Sequence, residues 1–184
     1  MLKSTPLADT SLRDVLFPLD GDPNLASYAI LDGAACPELL AKLEETQPDY
    51  CCLYAGELEP DVEEVAPYLV PLVADDSFTE WLLDSIGNKP WGIFCRAPST
   101  LRELRKHFRK FLIVKGPEGN NLYFRYYDPR VLTTFIPTCD PDQLAEVFNP
   151  VVSYLAITEK DIIAEFRQNE SKASGNAKAL TTPE

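Results

Sequence analysis

The sequence holds a single histidine, His107, and no CxxC pair among its five cysteines. Zinc sites and disulfide frameworks draw on such pairs, so neither is expected, and an odd number of thiols points the same way. Cys36, Cys51, Cys52, Cys95 and Cys139 read instead as small buried hydrophobes. No apolar run approaches the roughly 20 residues of a membrane span, and the opening MLKSTPLADTSLRDVLF lacks the continuous apolar segment of a signal peptide. A cytoplasmic protein that does not engage a membrane is expected. GxSxG, GxGxxG and GxxxxGK(S/T) are all missing, which removes the nucleophile elbow, the dinucleotide fingerprint and the P-loop. His107 sits among Arg105, Lys106 and Arg109, whose charge disfavours its protonation, and reads as an exposed helical residue. The one dense acidic run, GELEPDVEEV with Glu57, Glu59, Asp61, Glu63 and Glu64, lacks the glycine-punctuated spacing of a calcium loop and reads as an exposed, helix-opening surface. No catalytic residue, metal or cofactor is expected.

What is present is enough for one core. A chain of 184 residues with 45% hydrophobic content suits a single domain. The net charge of −12 argues against nucleic acid as a partner, because a surface of that sign repels phosphate. Its distribution is uneven. Residues 96–130 carry nine of the 17 Lys and Arg against three acids, a local balance of +6 in a chain whose remainder sums to −18. A surface so divided can steer and orient a charged protein partner.

Apolar runs of strand length alternate with helical patterns. SYAILD (27–32), YCCLYA (50–55), PYLVPLV (67–73), WGIFCRA (91–97), FLIVKG (111–116), NLYFRYY (121–127) and VVSYLAI (151–157) are short and rich in β-branched or aromatic residues. Pro71 cannot donate to a ladder, which makes the third run an edge strand or breaks it there. Helix starts are marked by Pro37, by Ser77 before Glu80, by Thr100 before Glu103, and by Asp140 with Pro141 and Gln143. In TLRELRKHFRKF, Leu101, Leu104, Phe108 and Phe111 face the core and leave Arg102, Arg105, Lys106 and Arg109 outward. FLIVKGPEGNNLYFRYY reads as an antiparallel hairpin. The expectation is an α/β or α+β single domain with a mixed, partly antiparallel sheet covered by helices. Residues 1–26 form an N-terminal extension with a short helix around Leu12, Val15, Leu16 and Phe17. Residues 27–157 form the domain, and 158–184 a C-terminal helix (EKDIIAEFRQ) and a flexible tail poor in large apolar residues.

The stretch FRYYDPRVL, residues 124–132, is either the floor of an active site or a joint of the fold. On a strand, Leu122, Phe124 and Tyr126 share one face while Tyr123, Arg125 and Tyr127 share the other. Asp128 then caps a helix whose first turn Pro129 presets. A covered Arg125 needs a counter-charge, and Asp32, ending the first strand in YAILDGA, is the best placed. Tyr127 and Arg130, at a strand end and a helix start, are expected to be partly exposed, unless Arg130 pairs with a local carboxylate such as Asp128.

These blocks resemble a family. YAILDGA, CLYAGEL (52–58), APYLVPL (66–72), WGIF before a basic helix, the hairpin, LYFRYYDPRVL and FNPVVSY, in that order, look like the adaptor proteins of the type VI secretion system. That family is known as domain of unknown function 4123, or Tap or TEC. The resemblance spans residues 27–157, with its structural signature at Asp32, Arg125, Tyr126, Tyr127, Asp128, Pro129 and Arg130. It implies a non-enzymatic protein of a Gram-negative cytoplasm that binds a toxic effector and helps load it onto the VgrG spike. Arg102, Arg105, Lys106, Arg109, Tyr127 and Arg130 are the expected partner-binding residues. Two other readings compete: an immunity-type inhibitor of a toxin, and a hydrolase or nuclease built on Asp32, Arg125, Tyr127 and Asp128.

Overall fold

The computed structural model describes residues 2–6, 11–158 and 160–167. A seven-stranded sheet forms its centre, built from β1 (Leu2–Pro6), β2 (Ala26–Asp32), β3 (Cys51–Cys52), β4 (Pro67–Leu72), β5 (Gly92–Ala97), β8 (Ser153–Ile157) and β9 (Ile162–Arg167). Between β5 and β8 in the chain, β6 (Ile113–Lys115) and β7 (Asn121–Tyr123) pair only with each other. The main sheet runs in the order β1-β9-β8-β5-β2-β4-β3, and every neighbouring pair in it is antiparallel.

Two apolar layers sandwich this sheet, because its strands are apolar on both faces. Tyr28 and Ile30 of β2 belong to one cluster, Ala29 and Leu31 to the other, as the two-residue period of a strand requires. The first layer is roofed by α5 (Leu101–Arg109), α6 (Pro129–Phe135), a 3-10 turn (Ile136–Thr138) and α7 (Pro141–Phe148), through Leu104, Phe108, Leu132, Ile136, Val147 and Phe148. The second is covered by α1 (Leu12–Leu16), α2 (Leu39–Thr46) and α4 (Ser77–Ile86). The acidic helix α3 (Pro60–Glu64) buries none of its residues. Gly92 admits the close approach of β5 to β2, since a Cβ there would lie 2.1 Å from the Ile30 carbonyl oxygen.

Caps fix the helix starts. Thr100 and Glu103 form a reciprocal capping box on α5, as do Asp140 and Gln143 on α7. At α4 the cap is Asp76, which accepts from the Phe78 amide at 2.9 Å, rather than Ser77, which lies inside the helix. Pro71 is tolerated because β3 pairs only with Tyr68 and Leu69, leaving β4 an edge beyond them.

The α/β class and the single domain stand as expected, with three differences in detail. The segment expected as a C-terminal helix is β9, inserted between β8 and β1, so part of the N-terminal extension is an edge strand of the main sheet. YCCLYA contributes only two strand residues, and NLYFRYY stops being a strand at Tyr123. The expected C-terminal tail lies outside the described residues.

Candidate functional site

The chain after β7 turns, and its side chains plug the first layer. Phe124 closes the base of the hairpin by donating its amide to the Leu112 carbonyl at 2.9 Å and packs edge-on against Phe135. Tyr126 is buried and its hydroxyl donates to the Phe108 carbonyl at 3.0 Å, tying this turn to the end of α5. Tyr127, expected to be partly exposed, is only 2% exposed, because its ring enters the core beside Tyr54 and Asp32. Burial raises the phenol pKa of both tyrosines, with the neighbouring tyrosine hydroxyls adding to the shift, so both are neutral.

Asp32 receives the arginine assigned to it from the sequence. Its strand position alternates with Tyr28 and Ile30, which places it on the α5 and α6 side of the sheet. The Asp32 carboxylate is 2% exposed; one oxygen accepts from the Ala34 amide at 3.1 Å and the other from Arg125 Nη2. Arg125 itself is half exposed, so the pair joins a buried acid to a base at the rim rather than two buried charges. Hydrogen bonding to Asp32 outweighs burial and raises the Arg125 pKa.

Asp128 caps α6 by accepting from the Arg130 amide at 2.9 Å, and the same carboxylate accepts from Arg130 Nε at 3.0 Å and Nη2 at 2.6 Å. Burial pushes the Asp128 pKa up, but the side-chain and backbone hydrogen bonds from Arg130 outweigh it and the pKa is lowered. Arg130 therefore pairs locally with Asp128, yet its side chain stays 61% exposed, as expected of its position at a helix start. The RYYDPR stretch is a joint: each of its charges is engaged, and its tyrosines are packed.

The surface beside the joint is different. On α5, Arg102, Arg105, Lys106, Arg109 and Lys110 line an open cleft of about 460 Å³. Arg102, Lys106 and Lys110 are exposed. Arg105 is half-buried and donates from Nε to the Cys52 carbonyl at 2.9 Å, which makes it a tether between α5 and β3 as well as part of the basic face. Next to this face stands the β6–β7 hairpin, where Ile113 opposes Tyr123 on one side and Val114 opposes Leu122 on the other. All four are exposed, Tyr123 by 75%. The Tyr54 ring, two residues beyond Cys52, lies 6.1 Å from that of Tyr123 and links the basic face to the hairpin. Strand alternation puts apolar residues on both sides of this hairpin, a pattern that in sequence is the same as that of a buried strand.

His107 departs from expectation. It is buried at 4% exposure, and its Nε2 donates to the Val147 carbonyl at 3.1 Å, clipping α5 to α7. Its Nδ1 is buried without a partner, so protonation would strand a donor there. Burial, with a smaller contribution from Lys110, holds its pKa down to about 4 against the pull of the Val147 carbonyl. The thiols of Cys36 and Cys51 are pushed up to about 11 by burial. Among the described residues no group of three or more His, Cys, Asp or Glu is placed to hold a metal ion, and no helix is long and apolar enough to cross a membrane.

A single α/β domain with a packed joint and a mixed basic and apolar surface is the class these features define. The chain belongs to the DUF4123 family, described as a domain of unknown function, whose pattern matches residues 27–146. No curated protein matches it, and no solved structure does.

Proposed function

We propose that this DUF4123 chain is a non-catalytic adaptor, or chaperone, that binds a type VI secretion effector in the cytoplasm of the producing Gram-negative bacterium and promotes its loading onto the VgrG spike. The observation that carries this reading is the composite surface: a basic cleft on α5 joined through Tyr54 to a hairpin apolar on both sides. Protein interfaces concentrate aromatic and arginine anchors in such a setting, and an exposed apolar patch on a folded domain calls for a partner. The cationic face also gives long-range steering toward an acidic partner segment. A non-enzymatic role is supported by the engagement of Asp32 and Asp128 with arginines, which leaves neither as a free base. For the same reason the hydrolase reading is the weaker one.

The test is capture from the native bacterium with tagged full-length chain, wild type against two variants chosen to spare the fold. Arg102→Glu/Lys106→Glu/Lys110→Glu reverses the exposed charges while keeping the Arg105 tether, and Leu122→Ser/Tyr123→Ser blunts the hairpin. Wild type is expected to retain an effector and VgrG, and each variant to lose the effector with an unchanged circular dichroism spectrum. Effector binding undiminished in both folded variants places the contact elsewhere, with α3 next to be tested. Capture of a toxin domain without VgrG favours the immunity reading, and capture of neither overturns the adaptor reading.

A further inference from the structure

The second layer of the molecule contains an arginine that the fold buries and does not pair. Cys95 and Ala97 of β5 join the cluster under α5, so the alternation of the strand sends Arg96, with Phe94, to the opposite face beneath α1. Arg96 is 7% exposed, its Nε has no hydrogen-bond partner, and no described residue forms an ion pair with it. Arginine stays charged even when buried, so it cannot relieve the desolvation by losing its proton.

The carboxylates nearest to it are committed to other partners. Glu165 accepts from Arg167 Nε at 2.6 Å, Asp22 accepts from the Asn24 amide at 2.9 Å, and Asp14 closes the capping box of α1 with Ser11. Glu165 and Asp22 act on Arg96 only through space, and burial with the nearby charge of Arg167 lowers its pKa. Arg96 and Arg167 both line two adjoining open clefts, one of about 810 Å³ and one of about 230 Å³. Phe17, Pro18 and Leu25 give the larger cleft an apolar wall, and Val15 and Ile163 do so in the smaller.

We propose that this cleft is a binding site for a carboxylate carried on an apolar body, with the carboxylate seated on the Arg96 guanidinium, Arg167 as the second cation, and the apolar body against Phe17, Pro18 and Leu25. The planar guanidinium matches a carboxylate in geometry. Asp14, Asp20, Asp22 and Glu165 around the clefts repel a multiply charged anion, which selects a monocarboxylate over phosphate or nucleic acid. The volume exceeds that of a simple ion, which gives the apolar wall a role. Such a group is supplied either by a small carboxylic acid or by the C-terminus of a peptide ending in an apolar residue. The site lies on the opposite face of the sheet from α5 and does not depend on the adaptor reading.

The experiment titrates full-length protein, at constant ionic strength, with hexanoate and with its uncharged counterpart hexanamide, and in parallel with a tetrapeptide ending in leucine, free or amidated. Binding is read by calorimetry and by melting temperature. The expected result is binding of a carboxylate form at least about ten-fold tighter than its amide, lost in Arg96→Met, and a melting temperature for unliganded Arg96→Met at or above that of wild type. Tighter binding of hexanoate assigns the site to small acids, and tighter binding of the free peptide assigns it to a protein terminus. Equal affinity for acid and amide, or no binding of either acid, overturns the proposal in the wild-type protein alone, whatever the variant does.

Discussion

Replacing Arg125 by alanine probes the joint most sharply. The Asp32 carboxylate is almost fully buried, and truncating Arg125 leaves one of its oxygens with no protein donor, while the other keeps the Ala34 amide. Breaking a fully buried ion pair costs about 3–5 kcal/mol. Arg125 is half exposed, so water reaches the vacated position and lowers the expected cost to about 2–3 kcal/mol. Asp32→Ala removes the acid and the bond to Ala34 but leaves an arginine free to rehydrate, so the double variant is expected to be little worse than Asp32→Ala. The coupling energy is then close to the whole cost of Arg125→Ala, about 2–3 kcal/mol. Urea unfolding followed by tryptophan fluorescence is a suitable assay, because the Asp32 amide donates to the carbonyl of Trp91, which is itself buried and stacked on Trp81. Equal urea m-values across the four proteins would license the comparison. Strict additivity of the two substitutions would refute the pairing as a contributor to stability.

Three further outcomes are expected. His107 has a folded pKa of about 4 against 6.5 unfolded, so the unfolded chain takes up the proton first as pH falls, and stability declines between about pH 6.5 and 4, by up to roughly 3 kcal/mol on full protonation. His107→Gln, which keeps a donor toward Val147, should flatten that decline, and an unchanged pH slope in urea melts would contradict the assignment. Gly92→Ala forces a Cβ into the Ile30 carbonyl and is expected to cost at least about 3 kcal/mol; a near-neutral urea midpoint would mean that β2 and β5 do not pair in this register. Reversing the exposed charges of Arg102, Lys106 and Lys110 should shift stability by no more than about 0.5 kcal/mol per site, and a larger loss in the melt would show that they support the fold.

The parts of this molecule that were legible in the sequence are those fixed by local chemistry or by simple charge logic. Thr100 with Glu103 and Asp140 with Gln143 name their own helix starts, and Asp128 followed by Pro129 does the same for α6. Asp32 and Arg125, 93 residues apart, were matched because an arginine placed toward a core needs an acid. What was not legible depends on distant packing. Ile163, Ala164, Glu165 and Phe166 of β9 are buried on both faces, which erases the alternation that marks a half-covered strand, and only pairing with β1 and β8 makes the segment a strand. Tyr127 follows the same rule, since its burial comes from Tyr54 and Asp32, far away in the chain. His107 looked solvated among its cationic neighbours, yet it shares the inward side of α5 with Leu104 and Phe108 and meets α7 there.

The adaptor reading is tested most directly by effector secretion in the native bacterium from which the gene for this chain has been removed. The account predicts that the effector captured by the wild-type protein stays inside the cells while VgrG is still exported. Wild-type chain should restore export, and the folded Arg102→Glu/Lys106→Glu/Lys110→Glu variant should not. Full effector export in the strain without the chain would contradict it.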